Sequence, residues 1–123
     1  MIEINLQATQ SDNKYAKDMA AYIMSLLRDN AFTEKTRQYF TWGARSLKYM
    51  VATDGLHYGL QMSVSGLKFK GRVRVWYNRA SDYFDIEFVN LRGRVVEELE
   101  DIDCFQLHNI LHQRIERTDD PEV

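Results

Sequence analysis

From Tyr15 the apolar residues recur at three- and four-residue intervals, through Met19, Tyr22, Ile23, Leu26 and Leu27. That stripe predicts an amphipathic helix opening at Ser11 or Asp12 and ended by Asp29 and Asn30. Ahead of it, Ile2, Ile4 and Leu6 alternate with Glu3, Asn5 and Gln7, the period of a short half-buried strand. Thr33 followed by Glu34 reads as a helix cap and Gly43 as a stop, which predicts a second short helix through Tyr39, Phe40 and Trp42.

The pattern then changes to period two. A two-residue Asp54-Gly55 turn of type I′ would pair Val51 with Tyr58, Tyr49 with Leu60 and Leu47 with Met62, all apolar and all on one face. The other face would carry Lys48, Met50, Ala52, His57, Gly59, Gln61 and Ser63, and a slip by one residue would invert the whole arrangement. GLKFKGRVRVWYN, residues 66–78, supplies a third strand with Leu67, Phe69, Val73, Val75 and Tyr77 toward the core, and its cations and Trp76 outward. In the fourth strand Phe84, Ile86 and Phe88 face the core, while Tyr83, Asp85 and Glu87 face out. Opposite residues of an antiparallel pair share a face, so Asp85 and Glu87 land among the cations. VVEELEDI, residues 95–102, follows the Arg92-Gly93-Arg94 turn as an edge strand. Asp101 or Asp103 caps a last helix with the stripe Cys104, Leu107, Ile110, Leu111 and Ile115. The fold class is therefore α+β: an antiparallel sheet of four to five strands, with two N-terminal helices and one C-terminal helix packed on its apolar face. Residues 1–117 form a single domain, and 118–123 an acidic frayed tail.

The chain of 123 residues suits one core. Its longest purely apolar run, Met19 to Met24, is far short of the roughly 20 residues of a membrane-spanning helix. The N-terminus has no secretory pattern and Cys104 is a lone cysteine, so the expected location is a reducing compartment such as the cytoplasm, with no membrane partner. The net charge of −2 hides an asymmetry: residues 67–94 carry 7 basic and 3 acidic groups, net +4, and residues 95–123 carry 2 and 9, net −7.

The spaced pattern Gly43-Ala44-Arg45, Arg74-Val75, Asn78, YFDIEF (83–88), Arg92-Gly93, Val95-Val96 and Gln106-Leu107 resembles small uncharacterised proteins of bacteriophages and mobile elements. The likeness runs over residues 12 to 115, and the chain departs from the group in its strand pair 47–65 and its Ile2–Leu6 extension. The resemblance implies a small accessory protein; it lends no activity, because the group has none to lend.

Candidate chemistry is sparse. His108 and His112 share a helix face as zinc ligands do, but Asn109 stands where a metalloprotease would carry its glutamate, and both histidines sit at the margin of the apolar stripe. Cys104 lies in that stripe with acidic neighbours that oppose a thiolate. The acidic run Glu97, Glu98, Glu100, Asp101 and Asp103 lacks the loop of a calcium hand. No phosphate loop, dinucleotide fingerprint or nucleophile elbow occurs, so the expectation is a non-enzymatic protein with no cofactor and no metal.

The outward sheet face is the remaining candidate: Lys68, Lys70, Arg72, Arg74 and Trp76, with Arg79 and Tyr83, interleave cations and aromatics. Two readings follow. Met50, Trp76, Tyr83 and Val89 suit a protein interface, in which the acidic C-terminal part of a second copy meets this face. The alternative is single-stranded nucleic acid, with phosphates on the cations and bases stacked on the aromatics. The first accounts for both halves of the charge asymmetry, the second for one.

Overall fold

A computed structural model describes residues 1–29 and 42–115. The order of elements is α1 (Gln10–Asp29), β1 (Arg45–Val51), β2 (His57–Ser65), β3 (Lys70–Asn78), β4 (Tyr83–Val89), β5 (Val95–Ile102) and α2 (Leu107–Ile115). The strands form one antiparallel meander in sequence order, β1 and β5 at its edges. The described residues thus hold two helices and not three. The second N-terminal helix expected from Thr33 lies outside them, except that Trp42 sits in a turn leading into β1. The expected tail 118–123 also lies outside.

Each helix begins at an identifiable cap. Thr9 Oγ1 accepts the Asp12 N–H at 3.1 Å, and Asp103 Oδ1 accepts the N–H groups of Phe105 and Gln106, both at 2.9 Å, which decides between the two aspartates considered for the last helix. Both helices lie on the same face of the sheet. Ala20, Ile23 and Leu27 of α1 and Leu107, Leu111 and Ile115 of α2 meet Leu60, Met62, Val64, Val73, Val75, Phe84, Ile86 and Phe88 in the main core.

The register agrees with the alternation of side chains where β2, β3 and β4 are concerned: Val75 faces Leu60 and Ile86, Arg74 faces Gln61 and Glu87, and Trp76 faces Gly59 and Asp85. Val51–Tyr58 and Tyr49–Leu60 pair as expected. Three local features differ. The Asp54-Gly55 turn is not type I′, because Gly55 is at φ 70° and Asp54 is not among the positive-φ residues. Asp54 instead turns its side chain inward, its Oδ1 accepting the N–H groups of Leu56 at 2.8 Å and His57 at 3.0 Å, so that side-chain bonds close a four-residue loop. Second, Leu47 is displaced from Met62 by a bulge between Arg45 and Lys48, where Ser46 takes φ 55°. Third, residues 66–69 are a turn outside β3, which leaves Leu67 exposed instead of in the core.

The N-terminal residues do not join the sheet as a full strand. Ile4 makes a single bridge to Ala52, the Asn5 N–H donates to Val51 O at 2.7 Å, and the Thr53 N–H donates to Glu3 O at 2.9 Å. From there residues 4 to 1 cross the helix-free outer face like a strap, with Ile2 and Ile4 turned inward onto Met50, Ala52 and Trp76. Leu6, expected on the same side, projects into solvent. The outer face therefore has a small apolar core of its own.

Candidate functional site on the outer sheet face

Trp76 is the centre of this face and is fully buried. Space for its indole exists because its neighbour across β2 is Gly59. The indole Nε1–H donates to Glu87 Oε1 at 2.8 Å, and the other carboxyl oxygen of Glu87 accepts the Ile2 N–H, also at 2.8 Å. Glu87 is only 2% exposed, with Arg74 Nη1 3.9 Å from Oε1. A carboxyl group taken out of water costs several kcal/mol unless its oxygens are bonded, roughly, and here both are. Arg74 is itself mostly covered, its Nε–H donating to Gln61 Oε1 at 2.9 Å. One network thus binds three strands to the strap, and the Met1 amino group extends it to β5 through Glu98 Oε1 at 2.8 Å.

Beside the strap lies a cavity of about 140 Å³ lined by Ile2, His57, Asp85, Glu87, Glu98 and Glu100, among others. His57 is bracketed: Nδ1 is 2.5 Å from Asp54 Oδ2, and Nε2 is 2.6 Å from Asp85 Oδ2. Burial pushes the imidazole pKa down, but the hydrogen bonds and charges of the two aspartates outweigh it and the net shift is upward from 6.5. Burial pushes Asp54 upward, yet the Leu56 and His57 N–H groups and the His57 ring hold it below its ordinary 3.8. A raised histidine pKa means stabilisation that is complete below 6.5 and lost as pH rises through the folded-state value. A lowered aspartate pKa means stabilisation present above 3.8 and lost as pH falls through the folded value. The bracket therefore contributes most between those two limits. Urea midpoints measured from pH 5 to 9 should fall across the upper limit in the parent protein and flatten in His57→Gln. An identical slope in both would show that His57 is not the group responsible.

The residues singled out from the sequence do not form one open strip. Lys70 and Arg72 lie on the outer face at the end of the sheet where β3 begins, and Lys68 is in the preceding turn. Arg74 and Trp76 are covered. Arg79 turns the other way, its guanidinium 5.4 Å from the Tyr15 ring and 5.8 Å from the Tyr58 ring beneath α1. Tyr83 is half exposed at the far end, opposite Asn78. His57, Glu87, Ile2 and Ile4 were not among the chosen residues, although the sequence held the signal: an alternating apolar N-terminus with no partner, and Met50, Ala52 and Trp76 on a face supposed to be polar.

His108 and His112 belong to a ring stack with Trp42. The His108 and His112 rings stack at 6.2 Å with an interplanar angle of 4°, and Trp42 lies over His108 at 5.6 Å. The Trp42 Nε1–H donates to His112 Nδ1 at 3.1 Å. Among the described residues no group of three or more His, Cys, Asp or Glu is arranged to hold a metal ion, and no helix is long and apolar enough to cross a membrane. The chain matches no known protein family, no curated protein and no solved structure.

Proposed function

We propose that this is a non-enzymatic binding protein that docks a protein partner, in the first instance a second copy of itself, across the outer sheet face. The observation that carries the reading is the separation of charge along that face. Arg45, Lys70 and Arg72 lie toward one end, with Lys48 on the next rung. Asp54, Asp85, Glu100 and Asp101 lie toward the other, where the end of β5 meets the start of β4. A two-fold axis through such a face sets each basic end against the partner's acidic end, and an isologous contact needs that self-complementarity. The resemblance to phage and mobile-element proteins fits an accessory role of this kind.

Single-stranded nucleic acid is the second reading, favoured by the cations of β3. It is the weaker one because Trp76, the aromatic residue of β3 on that face, is covered, and Tyr83 lies at the far end of the face from those cations, opposite Asn78. Sedimentation velocity should show a concentration-dependent dimer that weakens with salt, and Lys70→Glu with Arg72→Glu should weaken it at least about tenfold. A monomer at every concentration and at low salt would sink the self-association reading. Oligonucleotide binding whose logarithm falls with log salt by about 0.7 per phosphate contacted would support the second.

A further inference from the structure

The two turns at the basic end of the sheet carry the same short pattern: Leu67-Lys68-Phe69-Lys70 and Leu91-Arg92-Gly93-Arg94. The structure brings them side by side. A Cβ on Gly71 would come within 3.2 Å of the Asn90 Cα, and one on Gly93 within 3.6 Å of Arg72 Nη2. Both turns are held from within. The Gly66 N–H donates to Phe69 O at 3.0 Å, and Ile115 O at the end of α2 accepts the Lys68 and Phe69 N–H groups at 2.8 and 3.2 Å. Asn90 Oδ1 accepts the N–H groups of Arg92 at 2.9 Å and Arg94 at 3.0 Å. On these braced turns Leu67 is 74% and Leu91 80% exposed, and Lys70, Arg92 and Arg94 are exposed beside them.

From this arrangement we infer that the paired turn tips are a docking surface for an anionic lipid bilayer. Two leucines at the same end of a rigid sheet can enter the acyl boundary together, while flanking cations meet anionic headgroups. Both contributions are needed, since neither a few cations nor two leucines hold a protein to a membrane alone. Leucine gives nucleic acid no ring to stack on, which argues for lipid as the occupant. The charge separation fits as well: with the tips down, the acidic end of the sheet points away from the negative surface. This surface is contact with a membrane face, not a span; it shares Lys70 with the self-association face, and its test is kept separate by substituting only the turn residues Leu67, Leu91, Arg92 and Arg94.

Flotation with vesicles of phosphatidylcholine, with and without phosphatidylserine, tests it at low salt. The parent protein should float with the phosphatidylserine vesicles and lose affinity as salt rises. Arg92→Glu with Arg94→Glu, and separately Leu67→Ser with Leu91→Ser, should each lower that affinity at least about tenfold. Far-UV circular dichroism should be unchanged in both, because all four side chains are exposed. Failure of the parent to float, or a leucine variant that floats as well as the parent, would overturn the proposal. So would preferential binding of a single-stranded oligonucleotide that depends on Arg92 and Arg94 but not on the leucines.

Discussion

Trp76→Ala is expected to cost about 3–5 kcal/mol of folding stability, the range for truncating a fully buried large aromatic. Three effects add. The indole leaves a cavity between Met50, Ala52 and the strap. Glu87 loses the Nε1–H donor while remaining buried, which costs about 1–3 kcal/mol more than losing an exposed bond. Ile2 and Ile4 lose their main apolar support, so the strap should lift and become open to proteolysis. Urea denaturation followed by far-UV circular dichroism measures the total. Trp76→Phe separates the parts, because it keeps most of the volume while removing the donor. A loss below about 1 kcal/mol in Trp76→Ala would mean that the outer core contributes little and that the strap is held by its hydrogen bonds and the Met1–Glu98 ion pair.

Gly59→Ala should be nearly as damaging despite adding one methyl group. A Cβ at this position would sit 2.1 Å from Val75 O and 3.0 Å from the Trp76 Cα. Both are backbone atoms of β3, so no rotamer change relieves the contact and β2 must move away from β3. The expected loss is about 3 kcal/mol or more, at the upper end of what overpacking produces. Gly55→Ala is the matched comparison. It meets nothing within 4 Å and is disfavoured only by φ 70°, so it should cost about 1 kcal/mol. Equal losses in the two variants would contradict the close approach at Gly59.

The inner half of this fold was legible in the sequence because each signal there had a partner. The stripes of both helices, the alternation of β2 to β4 and the acidic edge strand all describe surfaces that fit one another. The outer half was misread for a physical reason. An antiparallel sheet with helices on one face is expected to be wet on the other, so Met50, Trp76, Tyr83 and Val89 read as an exposed patch suited to a partner. Ile2 and Ile4 were recognised as one face of a strand, but nothing local says that the strand pairs once with Ala52 and then crosses the sheet. The His57 bracket was hidden similarly, since Asp54, His57 and Asp85 converge only after the loop closes and β4 takes its place. Cross-strand geometry puts Glu87 opposite Arg74, as expected, but Asp85 lies opposite Trp76 and bonds His57 and the Asp101 N–H; only the bonding of Glu87 depends on the strap.

The strap also sets an order in time. Every strand of the meander pairs with its neighbour in sequence, so the sheet can zip up through short chain closures. The Ile2 bond to Glu87 spans 85 positions and needs β3 and β4 already paired, because Trp76 and Glu87 reach it from those two strands. The residues that precede the meander in sequence are thus the last to settle. Until they do, the nascent sheet shows an uncovered tryptophan, and the fluorescence of Trp76 would report the closing step as a phase separate from formation of the sheet.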